Sequence, residues 1–247
     1  MKPWNMWASF RYNNENTGVS PYVSKHTNTK NDDVTKVYLG GLIWGTPVTD
    51  LKENIYVGST NKRFYCLGND LQIKWQHRIN NRADALIDSA ACLHPELQQV
   101  VVPGGDGYLH ALDINTGKIN WQFHATGATD SMHASGVVVN SFEGNVKYSA
   151  DGSFVYAGND NDFFYCIDAK TGGLIWKYKT NMMIWTVPAY MNNDKYVVFG
   201  SLDGHVYVFD SKTGMSIAKY DTKAEIKASP ITQGNDTIIV WYVTAMV

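Results

Sequence analysis

One short pattern recurs four times along the chain. It consists of an apolar run rich in β-branched and aromatic residues, a turn, a second apolar run ending near Asp, then Thr-Gly and a tryptophan. The fullest copy reads Val100-Val101-Val102-Pro103-Gly104-Gly105-Asp106-Gly107-Tyr108-Leu109-His110-Ala111-Leu112-Asp113, followed by Thr116-Gly117-Lys118 and Trp121. A period in the forties is the mark of an array of like modules, each of which buries its apolar faces only against its neighbours.

The turn residues set the register. Asn61, Asp106, Asn161 and Asp203 occupy one repeat position, at spacings of 45, 55 and 42 residues. Short runs such as Ile55-Tyr56-Val57-Gly58 precede them, and runs such as Phe164-Tyr165-Cys166-Ile167 follow. Two such runs around Asp-Gly or Asn-x predict a hairpin, because these turn residues tolerate the left-handed backbone. A second turn, Asn115-Thr116-Gly117, Lys170-Thr171-Gly172 or Lys212-Thr213-Gly214 in the last three copies, leads to a further strand; this strand carries Trp75, Trp121 or Trp176 in the first three copies and Ala218 in the fourth. An additional strand is predicted upstream of each copy, at Leu42–Pro47, Leu86–Ala90, Met132–Ser135, Met183–Pro188 and Glu225–Pro230. No window of 11 or more residues sustains a helical apolar rhythm. Four strands per unit make the fold all-β, with the content of a β-propeller blade. The expected layout is a lead-in segment and outer strand over 1–41, blades near 42–80, 85–126, 130–180 and 183–222, and a partial fifth over 225–247. The longer third spacing is assigned to a loop insertion at Ser141–Tyr148.

Ala111-Leu112-Asp113-x-x-Thr116-Gly117-Lys118-x-x-Trp121 resembles the tryptophan-docking motif of the pyrroloquinoline-quinone (PQQ)-like propeller repeat. Trp7-Ala8-Ser9-Phe10-Arg11 and Thr17-Gly18-Val19-Ser20-Pro21-Tyr22 are similar to the lead-in common in such proteins. The resemblance spans nearly the whole chain and implies that Trp75, Trp121 and Trp176 pack between neighbouring blades. It does not select a function, because the family holds quinoprotein dehydrogenases, assembly scaffolds and sensor domains.

Bulk properties narrow the field. A net charge of −2 leaves no basic footprint for nucleic acid. No stretch approaches the roughly 18 apolar residues of a membrane helix. The start, Met1-Lys2-Pro3-Trp4-Asn5-Met6-Trp7, lacks the apolar core of a secretory signal, although the family is often periplasmic or extracellular. Cys66 and Cys166 share a repeat position two blades apart, too far for a disulfide, and Cys92 stands alone; all three are read as small core residues. No Cys or His spacing marks a zinc site.

Rings of this family resemble seven or eight blades, more than 247 residues supply at this period. The unpaired blade faces of an open arc favour association, including self-association. The tail Trp241–Val247 departs from the repeat; read one frame over, a plausible coding string gives Val-Cys-Asp-Gly-Tyr-Gly, near the expected Asp-Gly register. The chain is therefore expected to be a cut or frameshifted piece of a longer propeller, or a partial ring completed by another chain.

The position after a repeated apolar residue in the first strands holds Trp44, Asp88, His133, Trp185 and Lys227. Their spacing follows the repeat, so these side chains are expected to converge on the axis as a binding site for a planar or polar ligand. Asp130 is the neighbour if the third register slips. The recurring Asp106, Asp113, Asp168, Asp203 and Asp210 are read as turn-bonding residues, and His110 as a hydrogen-bonded core residue. Asp130, Ser131 and His133 do not make a triad, because neighbours in a strand point to opposite faces. PQQ-dependent members would require a vicinal cysteine pair and Ca²⁺ ligands near a catalytic Asp; no Cys-Cys pair occurs. The favoured reading is a non-catalytic scaffold or small-ligand binder that needs no cofactor and meets a protein partner. The alternative is a fragment of a quinoprotein oxidoreductase using PQQ and Ca²⁺, and a weaker third is a sensor domain.

Overall fold

The computed structural model describes residues 9–12, 16, 35–79, 85–125, 131–132 and 138–242. Among them there is no α-helix, and four antiparallel four-stranded sheets follow one another along the chain. Strands β1 (Val48–Thr49), β2 (Ile55–Ser59), β3 (Arg63–Leu67) and β4 (Ile73–Arg78) form the first sheet. The second contains β5 (Cys92–His94), β6 (Gln99–Pro103), β7 (Tyr108–Asp113) and β8 (Ile119–His124). A two-stranded hairpin, β9 (Ser131–Met132) with β10 (Val138–Val139), intervenes. The third sheet is β11 (Lys147–Tyr148), β12 (Phe154–Gly158), β13 (Phe163–Asp168) and β14 (Leu174–Lys179). The fourth is β15 (Ala189–Met191), β16 (Tyr196–Gly200), β17 (His205–Asp210) and β18 (Ser216–Asp221), and β19 (Ile231–Gln233) with β20 (Thr237–Ile239) begin a fifth. These are the blades of a propeller, and the described residues do not close a ring.

The hairpin between the second and third strands of each four-stranded sheet is set by one device. The residue after the repeated Asn or Asp is left-handed every time, at Lys62 (φ 70°), Gly107 (86°), Asp162 (70°) and Gly204 (81°). Glycine takes that conformation without strain, and Lys62 and Asp162 take it beside an amide side chain that braces the turn. Asn61, Asp106, Asn161 and Asp203 each accept, through Oδ1, the amide two residues on, at 3.1–3.2 Å. Asp113, Asp168 and Asp210 cap the next turn, each accepting both the amide and the hydroxyl of Thr116, Thr171 or Thr213.

The ladder slips by one residue at the same place in all four sheets, between Cys66/Leu67, Ala111/Leu112, Cys166/Ile167 and Val208/Phe209. A bulge there increases the strand twist just where the fourth strand presents Trp75, Trp121 or Trp176, and Ala218 in the fourth sheet. Continuous cores join the first sheet to the second (Tyr56, Phe64, Ile87, Val100), the second to the third (Val101, Leu109, Phe142, Tyr165) and the third to the fourth (Tyr156, Phe164, Ile184, Phe199). Cys66, Cys92 and Cys166 are free, buried thiols within these layers.

Two expectations need correction. The segments assigned as first strands at Leu42–Pro47, Leu86–Ala90, Met183–Pro188 and Glu225–Pro230 are not laddered; pairing begins after them, at Val48, Cys92, Ala189 and Ile231, while of Met132–Ser135 only Met132 is described, paired with Val138. Prolines 47, 188 and 230 sit at this boundary, and a residue without an amide hydrogen cannot donate to a ladder. The third blade's first strand is Lys147–Tyr148, within the stretch assigned as an insertion. The extra residues of this repeat lie earlier, around the β9–β10 hairpin.

Candidate functional site

The three repeated tryptophans join neighbouring sheets. The indole nitrogen of Trp75 donates to the carbonyl of Ile114 at 2.9 Å, Trp121 to Ala169 at 3.0 Å and Trp176 to Ser211 at 3.4 Å. Each acceptor belongs to the following sheet, next to its Thr-Gly turn. The rings lie against Gly117, Gly172 and Gly214, all left-handed, where an added Cβ would come within 2.6–2.7 Å of an indole carbon. Thr-Gly is thus a seat for the preceding tryptophan as well as a turn. Trp121 is buried, and Trp75 and Trp176 are half-buried.

Four residues before the first laddered residue of each sheet stands one equivalent position. Counting back from Val48, Cys92, Lys147, Ala189 and Ile231, which pair with Tyr56, Val101, Tyr156, Val198 and Ile239, gives Trp44, Asp88, Glu143, Trp185 and Lys227. Glu143 therefore stands where His133 was expected; His133 and Asp130 lie outside the described residues. The sequence carried the signal. The steps from Asp88 to Glu143 and from Glu143 to Trp185 are 55 and 42 residues, matching the steps between the turn residues Asp106, Asn161 and Asp203.

These positions adjoin one another in series. A Cβ on Gly45 would meet the Ser89 carbonyl at 2.5 Å, so the first and second sheets touch here. The Ser89 hydroxyl donates to the carbonyl of Glu143, and the Ala90 amide donates to Asn145 Oδ1. A Cβ on Gly144 would lie 3.0 Å from the carbonyl of Ile184. The Val187 amide donates to Ser229 Oγ at 2.9 Å, and the Lys227 ammonium stands 5.8 Å from the Trp185 ring centre while pairing with Glu225 at 3.1 Å. Trp44, 62% exposed, has an open indole face.

The sequence reading also missed Asp160, a buried carboxylate in the β12–β13 turn. It accepts the Trp185 indole N–H at 2.8 Å. Burial, with the charges of Glu143 and then Asp88 adding to it, pushes its carboxyl up to about 8 despite the indole bond. Burial likewise raises Asp88 against the opposing bond from Ser89, and raises Glu143 with help from Asp88. The site thus combines carboxyls that hold protons unusually well, two indoles and one ammonium.

PQQ and Ca²⁺ are the groups this fold family implies, and the residues present do not fit them. Among the described residues no group of three His, Cys, Asp or Glu side chains is arranged to hold a metal ion. Burial raises all three thiols, to about 11 for Cys66, about 12 for Cys166 and well above the usual range for Cys92, and no two cysteines are adjacent. His110 bonds Asp106 within the core at 3.0 Å. A polar cleft of about 670 Å³ between the third and fourth sheets is lined by Asp151, Lys195, Asp210 and Lys212, among others. Its Asp151 and Asp210 are already engaged in local turn bonds.

A model of the family described as "outer membrane protein assembly factor BamB" matches residues 23–150 and 138–240. No curated protein matches the chain. Among solved structures, BamB from Moraxella catarrhalis is similar at 18% identity and TM-score 0.62, covering 77% of this chain and 56% of that one. The quinohemoprotein alcohol dehydrogenase ADHIIG from Pseudomonas putida HK5 is similar at 15% identity and TM-score 0.71, covering 92% of this chain and 42% of that one. The chain thus spans about half the length of these proteins, and at such identities the likeness shows the propeller fold alone. With the family model covering most of its residues, and with blades joined by tryptophan seats, the chain belongs to the PQQ-like β-propeller repeat family that includes BamB.

Proposed function

We propose that this chain is a non-catalytic interaction scaffold, which takes a protein partner or a small polar or planar ligand at the axial end formed by Trp44, Asp88, Glu143, Trp185 and Lys227. One observation carries the reading. The packing positions repeat from sheet to sheet, whereas this one equivalent position holds an indole, two carboxyls, a second indole and an ammonium in turn. Repetition builds a rigid support, and variation at an exposed end supplies recognition. The family description as an assembly factor supports a protein partner.

Titration with PQQ and Ca²⁺, followed by absorbance, tests this reading against the quinoprotein alternative. No spectral change is expected at micromolar cofactor. A saturable change would overturn the non-catalytic reading.

A further inference from the structure

The position held by Val48, Cys92, Ala189 and Ile231 is apolar in four of the five sheets and a lysine in the third. Lys147 is buried there at 1% exposure. An ammonium placed so deeply needs hydrogen-bonding partners, because desolvation is otherwise costly. Lys147 Nζ donates to Oδ1 of Asn16 and lies 5.9 Å from the Tyr190 ring centre.

Asn16 is fully buried and comes from far away in the chain. Its amide nitrogen faces the carbonyls of Pro230 at 3.0 Å, Pro188 at 3.3 Å and Val187 at 3.5 Å. A donor thus meets the oxygen of the side chain, and carbonyls meet its nitrogen. That polarity matches a primary carboxamide, which sets an acceptor oxygen beside a separate NH₂ with two donors; a hydroxyl or a neutral imidazole has a single donor to offer the carbonyls. A carboxylate would turn an acceptor toward three acceptors, and an alkyl group would satisfy neither side.

The contacts come from the third, fourth and fifth sheets together. Val187 and Pro188 follow Trp185 on one strand lead, and Pro230 follows Lys227 on the next. We infer that this is a primary-carboxamide recognition pocket beside the axial site, whose resident occupant is the chain's own Asn16, bridging the third, fourth and fifth blades. The inference stands on these contacts and is independent of the scaffold reading.

Chemical rescue in the full chain tests it. Asn16→Ala is expected to lower Tm by about 5 °C, the scale set by losing one buried polar anchor in a domain of this size. Acetamide at roughly 0.1 M should recover much of that loss by binding the folded state, whereas N,N-dimethylacetamide, which has the carbonyl but no N–H, should not. Equal recovery by both, no recovery by acetamide, or no loss of Tm would overturn the inference. Should Asn16→Ala fail to fold, Asn16→Asp decides. It keeps the shape and the acceptor for Lys147 but presents oxygen to the carbonyls, so a Tm equal to that of the parent would sink the pocket.

Discussion

Asp160 shows how far a residue's chemistry is set by surroundings that its sequence neighbours do not announce. Its carboxyl is buried in a turn, faces Glu143 and Asp88, and is held near 8. In the unfolded chain the same group titrates near 4. Between those values the folded protein keeps a proton that the unfolded chain has released, so stability is expected to fall as pH rises from about 4 to about 8 and to level off above that. Tm measured across this range should show the decline in the parent and a flatter profile in Asp160→Asn; identical profiles would remove Asp160 as the cause. None of this was legible at Asp160 itself, because burial and proximity to two other sheets are tertiary facts. The bracing role of Asn61, Asp106, Asn161 and Asp203 was legible, since an Asx turn is a local bond between a side chain and a nearby amide.

At the level of strands and sheets, the docking motif makes a junction whose two halves lie in different blades. Trp121→Ala is expected to cost about 3–5 kcal/mol, the range for truncating a buried aromatic. Gly172→Ala should also be costly, because its added Cβ meets the Trp121 ring at 2.7 Å and its φ of 74° is left-handed. In the Trp121→Ala background the collision disappears, and Gly172→Ala should then add only the left-handed penalty of about 1–2 kcal/mol. A denaturant double-mutant cycle measures that coupling, and strict additivity would show that the seat is not shared. The second, third and fourth strands of each blade were readable from alternating apolar runs and turns. The first strand was misread because an extended apolar segment such as Leu42–Pro47 or Met183–Pro188 looks like a strand but makes no ladder. Glu143 is legible only by the turn spacing, whose steps of 55 and 42 residues it shares; the apolar pattern around Met132 points to His133 instead.

Across the described residues, the first and last sheets of the array leave different side chains exposed. Ile87, Ile184 and Ile226 are fully buried, each against a glycine of the preceding sheet: Gly58, Gly158 and Gly200. Ile43 precedes Trp44 as those residues precede Asp88, Trp185 and Lys227, yet it is 42% exposed, with Leu42 and Tyr38 exposed nearby. At the far end Ile239, Trp241 and Tyr242 are exposed. Concentration-dependent association is expected at roughly 100 µM, where uncovered sheet faces meet. Ile43→Asp should weaken it in sedimentation velocity; a parent that stays monomeric, or a variant that associates equally, would refute the expectation. Which side chains the first blade leaves bare depended on the true register, which the sequence pattern alone did not set.

The tryptophan seats also bear on how such arrays grow. The second and third modules each carry a knob for the successor and a socket for the predecessor, so a tandem duplication of either would deliver both halves of a new joint at once. Lengthening by copying would then need no matching change elsewhere, and the rim residues would remain free to diverge.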